Sequence, residues 1–149
     1  MVIVPHTYST NLVHCVFSTK GRADLISAVL EERLYAYMFG TAKNLGIEIL
    51  ALGDTASHIH ILMTIPPARP LSYAVRDLKA NSSRWMSEHG TPFAWQEGFG
   101  AFSVRPSQAP VVKRYIRNQA EHHKKRNFEE ELLLLKKSGI SYDPKHVFG

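Results

Sequence analysis

Two histidines one residue apart, His58 and His60, sit inside residues 57–65, Ser-His-Ile-His-Ile-Leu-Met-Thr-Ile, a run that reads as a β-strand. Side chains alternate across a strand. His58, His60, Leu62 and Thr64 therefore share one face, and Ile59, Ile61, Met63 and Ile65 share the other. The aliphatic set is a core face. Two imidazoles on one face can jointly hold a divalent metal. A pair of half-exposed histidines on a polar sheet face satisfies the same pattern, and three-residue patterns recur often by chance.

A second constellation lies further along, in a stretch from about Pro110 to Lys125 with helical periodicity. At 100° per residue, Tyr115, Gln119 and His122 fall within about 60° of one another, together with Val111 and Val112. Lys113, Arg117, Glu121 and Lys124 lie opposite and read as solvated. A helix that buries Val111 and Val112 would turn a phenol, an amide and an imidazole inward, where polar groups need partners. Either these three form a hydrogen-bonded cluster, or a nucleophilic or acidic tyrosine stands beside a glutamine that completes a metal site.

The elements around these motifs form a consistent order. Residues 10–18 read as a first strand, and a helix from Asp24 or Ser27 to Leu45 follows, with Gly46 placed to end it. Residues 47–53 and 57–65 read as a hairpin across the turn Asp54-Thr55-Ala56. A second helix spans about Leu71 to His89, with Leu71, Val75, Leu78, Ser82 and Trp85 on one face, and residues 99–104 read as a fourth strand. After the helix at 110–125, Asn127 and Glu130 resemble a capping pair for a last helix to about Lys137. The order β-α-β-β-α-β plus two C-terminal helices predicts an α+β, ferredoxin-like fold. Its four-stranded antiparallel sheet would carry helices on one face.

The chain has 149 residues, enough for one domain spanning 1–149. Apolar residues make up 44% and charged residues 21%, a balance that excludes disorder as the main state. A single cysteine, Cys15, excludes a disulfide framework and a Cys-rich zinc module. No run approaches the ~18 apolar residues of a membrane span. The N-terminal residues lack the basic-then-apolar pattern of a signal peptide, so no membrane association and a cytoplasmic location are the expectation. The net charge of +5 points weakly to a polyanionic partner.

His58-x-His60 followed by aliphatics, and then Val112-Lys113-x-Tyr115-Ile116-x-Asn118-Gln119-x-x-His122-His123, resemble the single-tyrosine HUH transposases of small bacterial insertion sequences. REP-associated tyrosine transposases are close relatives of that family. Residues 95–104, from Trp95-Gln96-x-Gly98 to Val104, are similar to its segment before the last strand, with Phe99 where many members carry Tyr. The resemblance runs from about residue 7 to 128, which would make this the catalytic core and 127–149 a C-terminal helix and tail. It implies that His58, His60 and Gln119 hold Mg²⁺ or Mn²⁺ and that Tyr115 attacks single-stranded DNA bearing hairpins, leaving a 5′-phosphotyrosine. It also implies a homodimer, because two element ends need two tyrosines, and it favours exchange of Tyr115 between partners.

The chemistry suits these residue types. A phenol of pKa ~10 is a weak nucleophile at neutral pH unless its transition state is stabilised. A divalent metal on the scissile phosphate neutralises developing charge. Lys20, Arg22, Arg76, Lys79, Arg84 and His122 are candidate DNA contacts, although each also fits a solvated surface. His14 could sit beside the histidine pair if the first strand neighbours the third; a packed or exposed histidine is the commoner case. Asp54 could add a carboxylate near the metal, and a turn-forming aspartate is again commoner. Three other functions fit the same residues. They are a domesticated relative that processes repetitive extragenic hairpins, a non-catalytic nucleic-acid-binding ferredoxin-like domain, and a metal-dependent hydrolase that leaves no protein–DNA adduct.

Overall fold

Runs of β-branched and aliphatic residues build the centre of the molecule. The computed structural model describes residues 2–4, 7–90 and 92–119, with side chains from residue 9 onward. His122, His123 and the helix expected at 127–137 lie outside the described residues. The strands are Val2–Val4 (β1), Thr7–Ser9 (β2), Leu12–Ser18 (β3), Glu48–Asp54 (β4), His58–Thr64 (β5) and Gly100–Ser103 (β6). The helices are Glu31–Asn44 (α1), Leu71–His89 (α2) and Ala109–Arg117 (α3).

The main sheet has the order β4-β5-β3-β6, with every neighbouring pair antiparallel. This is the ferredoxin-like arrangement, in which the first and third strands of the βαββαβ unit lie at the centre. β1 and β2 form a separate two-stranded pair that the sequence pattern does not reveal. Every residue of β3 and β5 is buried, so both central strands are covered on both faces.

Alternation then divides the sheet. Val13, Cys15, Phe17, Ile59, Ile61 and Met63 join Leu34, Met38, Val75, Leu78 and Met86 in the principal core, under α1 and α2. On the other face, Leu12, Ala51 and Leu62 pack with Ile116 of α3 in a smaller cluster. α3 therefore crosses the face opposite α1 and α2, bearing on β4 and β5.

One boundary and one buried anchor differ from the sequence pattern for local reasons. α1 begins at Glu31, later than the periodicity suggests, because Ser27 Oγ accepts the Val29 amide and Ile26 N donates to Ala56 O at 2.9 Å. That second bond ties the chain before the helix to the β4–β5 loop. In α3 the buried anchor is Ile116, whereas Val111 is 51% exposed and Val112 only half-buried. The inward face is thus Val112, Tyr115, Ile116 and Gln119, with i, i+3, i+4 and i+7 spacing.

Candidate active site

The strand register assembles the site. Val16 of β3 and Gly53 of β4 flank His60, and Ser18 is the partner of His58. His14 lies two residues from Val16 on the same strand face, which brings its ring beside His60. His14 Nε2 and His60 Nδ1 share a hydrogen bond at 2.7 Å, and their ring centroids are 5.0 Å apart. The His58 and His60 rings stand edge to face at 5.4 Å. His58 Nδ1 shares a 2.9 Å hydrogen bond with Thr55 Oγ1. The Thr55 loop is itself pinned, because Thr55 N donates to His58 O and Thr19 N donates to Ser57 O. Each histidine thus has its Nδ1 engaged, while its Nε2 is buried.

α3 brings the other half. Tyr115 is half-buried, its ring 5.8 Å from that of His60 and 6.1 Å from that of His14, both edge to face. Gln119, one turn on, is 1% exposed, and its Nε2 donates to Tyr115 O at 3.2 Å. Its Oε1 is buried and meets no hydrogen-bond donor among the described residues. A buried carbonyl oxygen in that state is costly, and a cation satisfies it.

Gly53 makes this approach possible. A Cβ on Gly53 would lie 1.7 Å from the carbonyl oxygen of Ile116, which is inside any permitted contact. The hydrogen at that position lets the end of α3 settle against β4, beside the register partner of His60. No sequence motif marks this glycine; only the strand pairing does.

The residues fit a divalent metal. Two buried imidazole nitrogens and an unsatisfied amide oxygen form a neutral N₂O donor set of the kind Mg²⁺ or Mn²⁺ accepts, with the remaining positions left to water or phosphate oxygen. Among the described residues no group of three or more His, Cys, Asp or Glu could hold a metal. Asp54 is not near this set. It ends β4 opposite Ile59 and accepts the Tyr35 hydroxyl of α1. Burial, together with the nearby Glu31, raises its carboxyl from 3.8 to about 7, against the lowering effect of the Tyr35 hydrogen bond. Burial and Asp54 also push the Tyr35 phenol up.

The candidate DNA contacts separate into two groups. Lys20 and Arg22 are exposed in a short 3₁₀ turn just past Ser18, at the His58 end of the sheet. Arg76, Lys79 and Arg84 belong to α2, on the opposite side of the sheet. Arg76 pairs with Asp77 at 3.2 Å and lies over Tyr73, and Arg84 donates to Asn81. Lys79 Nζ donates to the carbonyls of Gln96, Glu97 and Gly98, so it clamps a loop. Burial lowers its pKa, opposed by Cys15 and Glu97. Through that loop, Gln96 Oε1 accepts the Ser18 amide and holds the end of β3 opposite His58. Phe99 is partly buried and packs against the principal core.

The family model described as "Transposase IS200 like" matches residues 7–119. The chain belongs to the IS200-like transposase family. Two solved structures share its fold. A putative transposase from Deinococcus radiodurans is similar with a TM-score of 0.64 and 21% identity, over 80% of this chain and 98% of that one. A REP-associated tyrosine transposase bound to a REP hairpin is similar with a TM-score of 0.61 and 17% identity, over 83% of this chain and 74% of that one. No curated protein matches the chain. Among the described residues no helix of this transposase is long and apolar enough to cross a membrane.

Proposed function

We propose that this transposase cleaves and rejoins single-stranded DNA at hairpin-bearing ends, with Tyr115 as nucleophile and a divalent metal held by His58, His60 and Gln119. The observation that carries the reading is the buried Oε1 of Gln119, which meets no donor among the described residues, one helical turn from a tyrosine whose ring abuts His60. A metal bound there supplies charge neutralisation at the scissile phosphate. Tyr115 Oη gives up its proton and attacks phosphorus; the new O–P bond forms as the P–O3′ bond breaks, and the departing 3′ oxygen takes up a proton, so none is gained or lost overall. The 5′ phosphate stays on the tyrosine. A 3′-hydroxyl attacking that phosphotyrosine restores a phosphodiester and releases the phenol, so joining needs no nucleotide cofactor. This energy-conserving exchange suits strand transfer better than hydrolysis.

The hairpin preference rests on the family and on the hairpin-bound relative. Lys20 and Arg22 are the basic residues placed to meet phosphate at the His58 end, and binding through them weakens as salt rises. A homodimer follows from the need to hold two ends with one motif tyrosine per chain. β6, at one margin of the main sheet, supports a twofold contact.

The test is labelled hairpin-bearing single-stranded DNA incubated with Mn²⁺ or Mg²⁺ and run on a denaturing gel. A covalent protein–DNA adduct is expected from the wild-type chain. In Tyr115→Phe it should fall by on the order of 10⁴-fold, with DNA binding kept. An undiminished adduct moves the nucleophile elsewhere, and free product without adduct favours a hydrolase. Mixing Tyr115→Phe with a His58→Ala, His60→Ala double variant should stay inactive if the site works in cis, and regain adduct if the tyrosine is exchanged.

A further inference from the structure

We infer that His14 is a positioning residue that holds His60 in the one tautomer able to ligate a metal through Nε2. The inference rests on the metal reading above, which assigns His60 as a ligand. His14 is 4% exposed, and its Nε2 lies 2.7 Å from His60 Nδ1. Two neutral imidazoles bonded through these atoms share one proton between them, and its location decides the chemistry. If it sits on His60 Nδ1, then His60 Nε2 carries a lone pair and can coordinate. If it sits on His14 Nε2, then His60 Nε2 bears the hydrogen and cannot. Ligating histidines elsewhere donate their second nitrogen to a carboxylate, a backbone carbonyl or water. Here a third imidazole takes that place as a neutral acceptor.

The surroundings keep His14 in position. Its ring meets Phe102 of β6 edge to face at 6.2 Å and Tyr115 at 6.1 Å. The ring therefore stands between the edge strand and the nucleophile while bonding the ligand. His58 has a different device for the same purpose, since Thr55 Oγ1 engages its Nδ1. A hydroxyl thus engages Nδ1 of one histidine and an imidazole engages Nδ1 of the other.

The experiment compares the full-length wild type with His14→Gln and His14→Phe. Gln carries an acceptor oxygen near the place of Nε2, and Phe keeps the ring without one. Ring-nitrogen NMR of the metal-free protein should show His60 protonated at Nδ1 in the wild type and in His14→Gln, and a tautomer mixture in His14→Phe. Calorimetric titration with Mn²⁺ alone should give affinity within a few-fold of wild type for His14→Gln and a loss of about 10–100-fold for His14→Phe. His60 protonated at Nε2 in the wild type overturns the inference, as does unchanged Mn²⁺ affinity in His14→Phe. Both variants losing affinity equally with a common fall in thermal stability also overturns it, reducing His14 to packing. A wild type that ignores Mn²⁺ yet shows the Nδ1 tautomer overturns the metal reading while supporting the hold of His14 on the ring.

Discussion

The two faces of the sheet come from the same strands and obey opposite rules. Under α1 and α2 the side chains are aliphatic and aromatic, and their contribution is burial, about 2 kcal/mol or more for each large residue. Under α3 a small apolar cluster borders His14, His58, His60, Tyr115 and Gln119, polar groups that are buried or half-buried and have specified neighbours. One face is an apolar core, and the other gathers the polar groups of the proposed site. Because residues on β5 alternate between the two, a shift of one position in register would exchange their roles completely.

Neighbouring substitutions on β5 test that division most strongly. His60→Ala should lower adduct formation by ~10³-fold or more, the scale of losing a positioned group in a catalytic unit, while the denaturation midpoint moves little. Ile61→Ala, one residue on and facing the other way, should cost about 3–4 kcal/mol of stability and leave the activity per folded molecule unchanged. Equal stability losses from the two would erase the distinction between the faces.

A smaller effect is expected where the faces meet α3. Gly53→Ala places a methyl against the Ile116 carbonyl, so α3 must move away from β4. The expected cost is about 2 kcal/mol, with adduct formation falling by more than that stability loss explains. A fully active Gly53→Ala would show that α3 need not sit this close.

The smallest effect concerns Asp54, at the margin of the apolar face. Its carboxyl is raised from 3.8 to about 7 in the folded chain, so the folded state binds the proton more tightly than the unfolded one. Stability from this group is therefore greatest below pH ~4 and falls as pH rises to about 7. Asp54→Asn should flatten that slope by about 2 kcal/mol, allowing for solvent around Tyr35 and Glu31. Denaturant titrations at pH 5 and pH 8 read the difference, and a slope unchanged in the variant would refute the assignment.

Much of this division is legible in the chain itself. Period-two alternation of Ile59, Ile61 and Met63 against His58 and His60 identifies the two faces of β5 without a structure. The spacing of Tyr115 and Gln119 places them on one helical stripe. What periodicity cannot supply is the angle at which a short helix docks. Val111 and Ile116 are both apolar, and only the notch at Gly53 selects Ile116 as the buried one. His14 became legible only with strand order, since its contact with His60 spans 46 residues and depends on β3 pairing with β5. Lys79 reads as a surface cation in sequence because the three carbonyls it binds belong to a loop 17–19 residues away.

The modest anchorage of α3 has a dynamic consequence. Ile116 is its one fully buried apolar side chain, set in a cluster with Leu12, Ala51 and Leu62, whereas α1 and α2 share the larger core. The free energy needed to open a segment scales with the apolar contact it gives up, so α3 belongs to the low-stability end of the molecule. Among the described elements it is therefore expected to open before β3, β5, α1 and α2. Amide exchange in α3 would then run through local opening at rates well above those of β5. A strand of DNA would gain entry beneath Tyr115 by the same motion, without global unfolding.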